Sequence, residues 1–214
     1  MTTTDQLFSA ITDGDAIVIE RILRAEPSLA DASRDGITPL RAAAYAGHAD
    51  LAQRLELLGA RPDAFDAAAL GDVDRLRELI DIDPDLPKAV AGDGFTALHL
   101  AAWFGHPKAA ELLLAKNADP ERMAANGTNL RPLHSAAAGG HAVIAHLLLD
   151  RGADIEAVQA GGIRPLHSAA HRNDAPMVRL LLDRGADPRA ATDDGRTPRD
   201  LATDPDVLAL LPTT

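Results

Sequence analysis

His99, His134 and His167 recur at spacings of 35 and 33 residues, and His171 follows His167 by four. An imidazole ligates zinc and exchanges protons near neutral pH, so a metal centre or an acid–base pair is the first chemistry these positions suggest. Two histidines four apart share a helix face and can chelate one ion, yet no third ligand accompanies His167 and His171. Equivalent residues of stacked helices sit about 8–10 Å apart, while zinc holds its nitrogen ligands at about 2 Å, so the repeated histidines are too far apart to share an ion easily. Asp81, Asp83 and Asp85 alternate as at the start of a calcium loop, but Leu86 stands where that loop's sharp turn requires glycine. Asn126-Gly127-Thr128 matches a glycosylation acceptor and reads better as a turn. The chain has no cysteine, no Gly-x-Ser-x-Gly elbow, no His-Glu-x-x-His and no glycine loop shaped for phosphate. No catalytic residue, metal ligand or cofactor is expected.

Composition narrows the partners. The 214 residues carry 21 Lys plus Arg against 32 Asp plus Glu, a net charge of −11. Nucleic acid and anionic membrane surfaces both demand a positive footprint, which this field opposes. Met1 to Gln6 lacks the basic and apolar regions of a secretory signal, and apolar stretches such as Ala97 to Phe104 fall far short of the roughly 18 residues of a membrane span. A cytoplasmic protein is expected. Arg outnumbers Lys 18 to 3 and alanine is abundant, a bias common in bacterial chains from GC-rich genomes.

The histidines belong to a repeat. Ala43-Ala44-Tyr45-Ala46-Gly47-His48 returns as Ala101-Ala102-Trp103-Phe104-Gly105-His106 and as Ala136-Ala137-Ala138-Gly139-Gly140-His141. Looser copies surround Gly14, Gly71, Asn173 and Asp206, and the seven markers are spaced by 33, 24, 34, 35, 33 and 33 residues. Downstream of Gly105, Gly140 and Asn173 comes an apolar run, Leu112-Leu113-Leu114, Leu147-Leu148-Leu149 or Leu180-Leu181-Leu182, and then a stop such as Gly152 or Gly185. Apolar residues at three- and four-residue spacing bury one stripe of a helix, and glycine ends it in the left-handed conformation. Proline at Pro39, Pro132, Pro165 and Pro198 fits a first helical turn, where its missing N–H has no partner to lose. Each period therefore encodes two short helices.

Thr96-Ala97-Leu98-His99-Leu100-Ala101-Ala102, with Gly105-His106 and Ala118-Asp119, resembles the ankyrin-repeat family in both signature and period. The resemblance covers nearly the whole chain and implies an all-α solenoid of about seven stacked helix pairs with short β-hairpin fingers. It implies a structural role for the repeated histidines, bonded to nearby backbone and to the threonine of the same motif. Divided on this frame, residues 1–214 form one domain: a cap pair at 1–34, a full repeat at 35–63, a fingerless cap-like pair at 64–92, full repeats at 93–125, 126–160 and 161–193, and a degenerate cap at 194–214. The 24-residue step from Gly47 to Gly71 leaves no finger before the third pair, which should open a notch there. Arg41 occupies the histidine position of the second unit, and Arg131 and Arg164 stand where threonine is usual, so local bonding must differ at these places. The two arginines, with Arg172 nearby, also suggest a small positive area.

The resemblance further implies that the concave face is lined by the two positions after each alanine pair and by the fingertips. Three of the chain's six aromatics, Tyr45, Trp103 and Phe104, fall at those helix positions and Phe95 adjoins them at a fingertip; His171 and Arg172 occupy the same frame farther on. Exposed aromatics anchor interfaces because they bury much area at little entropic cost. The expected function is non-enzymatic recognition of an as yet unidentified partner protein by a monomer. The alternative is an enzyme or small-molecule binder using a pocket at the notch near residues 62–71, with His99 or His134 and nearby carboxylates as acid and base.

Overall fold

A computed structural model describes residues 2–213; Met1 and Thr214, the ends of the first and last sequence units, lie outside the described residues. Among these residues fourteen α-helices follow one another in seven pairs: α1 (Thr3–Asp13) and α2 (Ala16–Ala25), α3 (Pro39–Tyr45) and α4 (Ala49–Leu57), α5 (Ala64–Leu70) and α6 (Val73–Ile82), α7 (Ala97–Phe104) and α8 (Pro107–Ala115), α9 (Pro132–Gly139) and α10 (Ala142–Asp150), α11 (Pro165–His171) and α12 (Ala175–Asp183), α13 (Pro198–Leu201) and α14 (Pro205–Leu210). The first helix of each pair packs against the first helix of the next, from α1 to α13. Alanine makes this stacking possible. Ala67, Ala68, Ala101, Ala102, Ala136, Ala137, Ala169 and Ala170 are fully buried between neighbouring helices, where a larger side chain would overpack.

Local signals set the helix ends. Thr38 Oγ1 accepts a hydrogen bond from the Arg41 N–H at 3.1 Å, and Thr96 caps α7 in the same way. At the end of α7, Gly105 sits at φ 80°, and a Cβ built there would lie 2.3 Å from the His141 ring. Glycine is thus required twice over, by backbone conformation and by the histidine that lies on it. Asn173, at φ 57°, takes that place in the sixth pair, and its Oδ1 accepts from the N–H groups of Thr203 and Asp204 at 2.8 Å.

Two expectations need correction. The fingers are turns rather than regular hairpins: among the described residues they hold isolated bridges, Arg34 with Ile37 and Gln159 with Ile163, or cross-turn backbone bonds such as Ala91 N–H to Phe95 O at 2.8 Å and Thr192 N–H to Arg196 O at 2.9 Å. Each finger is too short for a ladder. Successive fingers are instead stitched by single backbone bonds, Ala125 N–H to Gly94 O at 2.7 Å, Ala160 N–H to Thr128 O at 2.9 Å and Asp193 N–H to Gly161 O at 3.0 Å.

The second correction concerns the notch. The third pair does lack a finger, since only residues 58–63 link α4 to α5. The flanking fingers close over the space, however, and a Cβ placed on Gly36 would lie 2.4 Å from Gly92 Cα. With no side chain on either residue, the two tips can touch.

The buried apolar residues divide at the same place. One cluster runs from Leu7 to Ala60 and the other from Ala64 to Leu211. The seam between them is spanned in part by charge.

Candidate functional site

Tyr45 ends α3, Phe95 precedes the cap of α7, and Trp103 and Phe104 end α7. Tyr45 and Trp103 occupy equivalent repeat positions with α5 intervening, and Ala69 is the matching residue of α5. The Tyr45 and Phe104 rings meet, centroids 5.4 Å apart and planes tilted by 51°. Tyr45 and Trp103 remain 40% and 44% exposed, high for large aromatics, whereas Phe95 and Phe104 are half-buried. The Phe95 ring packs against His99 at 5.7 Å. Beside Trp103 lies an apolar cavity of about 190 Å³, and a second hollow of about 260 Å³, bordered by Phe8, Thr12, Arg34 and Asp35, lies across Tyr45.

Behind Tyr45 stands a buried charge cluster. The Arg41 side chain is 2% exposed, with Nε 3.2 Å from Asp66 Oδ1, Nη2 3.6 Å from Asp63 Oδ2 and Nη1 3.5 Å from Asp93 Oδ2. Thr38 Oγ1 donates to Asp66 Oδ1 at 2.6 Å, and the Tyr45 hydroxyl donates to Asp93 Oδ2 at 3.2 Å. The guanidinium also lies 5.6 Å from the Phe65 ring. Three carboxylates around one cation leave an excess of negative charge. Burial, together with the Asp63 charge, pushes the Asp66 carboxyl up to about 6 against the opposing pull of Thr38 and Arg41. Burial and the Asp93 charge likewise raise the Tyr45 hydroxyl.

Sequence reasoning noticed Arg41 but not its partners. The signal was available in principle: an arginine at a buried histidine position demands carboxylates, and Asp63-x-x-Asp66 in the fingerless unit supplies two.

The repeated histidines are taken up by backbone. His99 Nδ1 lies 2.8 Å from Thr96 Oγ1 and its Nε2 3.1 Å from Leu130 O. His134 Nδ1 accepts from the Arg131 N–H while its Nε2 bonds Ala157 O at 2.9 Å, and His167 joins the Arg164 N–H to Ala190 O and Arg196 O. Carbonyl acceptors on Nε2 fix the neutral tautomer. Burial lowers all three, His99 and His134 to about 4. The turn histidines tie each pair to the one before, with His106 Nε2 2.9 Å from Ala69 O and His141 Nε2 3.0 Å from Trp103 O.

A family described as "Ankyrin repeats (3 copies)" matches residues 7–124 and 64–159, and one described as "Ankyrin repeats (many copies)" matches residues 159–202. The chain belongs to the ankyrin-repeat family. Ankyrin repeat and SAM domain-containing protein 6 of Mus musculus is 42% identical over 62 residues, 29% of this chain and 7% of that protein. Its counterpart in Rattus norvegicus is 42% identical over 59 residues, 28% of this chain and again 7% of that protein. The chain thus matches only a small fraction of the length of these curated relatives.

Within the ankyrin array, His171 and Arg172 are exposed but are not brought to the aromatic cluster, because α9 stands between α7 and α11. Arg172 lies over the backbone of Gly140 at the end of α9. The positive area does not form. Arg131 is paired with Glu121 at 3.4 Å and Arg164 with Glu156 at 3.0 Å, and the same two glutamates receive the N–H groups of Asp154 and Asp187 from the following turns. Arginine in place of threonine has therefore become a strut between repeats. Among the described residues no helix is long and apolar enough to cross a membrane.

Proposed function

We propose that this ankyrin array recognises a partner protein on its concave face, with Tyr45, Phe95, Trp103 and Phe104 as the principal anchors and His171 with Arg172 as an outlying contact. Ankyrin repeats are generally protein–protein interaction modules and typically non-catalytic. The observation that carries it is the exposure of Tyr45 and Trp103, 40% and 44%, beside an apolar cavity. Aromatics are enriched at the cores of interfaces, where each contributes about 2 kcal/mol. The protein acts in the cytoplasm as a monomer whose partner is neither nucleic acid nor membrane, in keeping with its charge of −11. Residues 62–71 are given no catalytic role, since Asp63 and Asp66 there are engaged by Arg41.

The test is capture of partners with wild-type protein and with a Tyr45→Ala/Trp103→Ala variant of unchanged helical circular dichroism. A specific protein retained by the first and lost by the second is the expected result. Equal recovery by both would remove the aromatic cluster from the function.

A further inference from the structure

The cavity beside Trp103 takes its walls from parts of the chain that a regular array keeps apart. Tyr45 comes from the second pair, Phe95, Leu100 and Trp103 from the fourth, and Leu130 and Ser135 from the finger and helix of the fifth. The missing finger allows this. Gly36 and Gly92 touch where that finger would stand, and Asp93 reaches across to accept the Tyr45 hydroxyl.

The wall is apolar despite containing His99, because both ring nitrogens of His99 are turned to Thr96 and the Leu130 carbonyl. The surface that faces the cavity is apolar, so it selects an uncharged apolar group. Its volume of about 190 Å³ suits a single side chain, since an apolar cavity of about 150 Å³ is enough to admit benzene. The surroundings are acidic. Asp63, Asp66 and Asp93 share one guanidinium, and Asp35 is exposed at the neighbouring fingertip. Arg34, the cation beside Asp35, is held 4.5 Å over the Phe8 ring. A low-dielectric hollow set among excess carboxylates focuses negative potential on its mouth.

We infer that this composite cavity receives one leucine-sized side chain from a segment of the partner protein, and that lysine or arginine flanks that side chain. The inference rests on the proposed recognition function and sharpens it. The apolar anchor supplies most of the contact, and the flanking cations supply selection against acidic segments and a dependence on salt.

Trp103 is the only tryptophan of the chain, so its indole N–H resonance reports on the cavity alone. Three capped tripeptides, Lys-Leu-Lys, Lys-Ala-Lys and Glu-Leu-Glu, are titrated into the full protein. Lys-Leu-Lys is expected to shift the resonance saturably, with Lys-Ala-Lys at least about tenfold weaker for want of the buried side chain and Glu-Leu-Glu weaker again as salt is lowered. Filling the cavity by Ser135→Leu, or by Ser135→Val should the larger change unfold the protein, is expected to abolish the shift. Superposed curves for the leucine and alanine peptides, or no shift from any peptide, would overturn the inference. The recognition function itself stands or falls separately, on whether the Tyr45→Ala/Trp103→Ala variant loses its captured partner.

Discussion

A histidine pressed into backbone must stay neutral, and His99, His134 and His167 carry that constraint along the array. Their folded pKa values lie below the unfolded value of about 6.5, at about 4 for His99 and His134. The folded protein therefore binds fewer protons than the unfolded chain in the interval between, and stability is full above about 6.5 and declines as pH falls toward 4. Asp66 acts in the opposite sense. Its folded value of about 6 exceeds the ordinary 3.8, so its contribution is lost as pH rises through that window. Three histidines outweigh one aspartate. The thermal midpoint is expected to be lower at pH 5 than at pH 7, and a midpoint equal or higher at pH 5 in a scanning experiment would contradict the neutral, backbone-bound assignment. These histidines were the most chemical-looking residues of the sequence, and their geometry makes them structural.

Helices and turns were largely readable, because their determinants are local. Pro39 and Pro165 start helices, Gly105 and Gly140 stop them, and Asn173 substitutes for glycine by tolerating a positive φ. The site was less readable, because its contacts are distant. Tyr45, Phe95, Trp103 and Phe104 were recognisable from the repeat frame, but the meeting of Tyr45 with Phe104 joins residues 59 positions apart, beside two glycines that close a gap. The pairing of Arg41 with Asp66 spans 25 residues and leaves no periodic trace. That pair bridges the two apolar clusters at the junction of α3, α5 and the fourth finger. Arg41→Ala would strand three carboxylates without their cation. A loss of roughly 3–5 kcal/mol is expected from breaking such a buried arrangement. Because solenoid stability is a sum of neighbour interfaces, denaturation should also separate into two steps, the first two pairs melting ahead of the rest. A single transition shifted by under about 1 kcal/mol, the range of an exposed ion pair, would show that the seam does not depend on Arg41.

At the scale of the whole molecule, an absence shapes the surface. A complete third repeat would hold the second and fourth fingers apart and leave Tyr45 facing a neighbour's fingertip. Without it the fingertips touch at Gly36 and Gly92, and residues of the second, fourth and fifth pairs form one aromatic, acid-rimmed site. The most direct test of that arrangement uses the chain's single tyrosine, whose ring protons are unambiguous in an NMR spectrum. Nuclear Overhauser contacts are measured from the Tyr45 ring to the Phe104 ring, in the natural chain and in a variant with the chain's own finger Ala89 to Phe95 copied in after Ala60. Contacts present in the first and lost in the second are expected. Their absence from the natural chain would contradict the composite site.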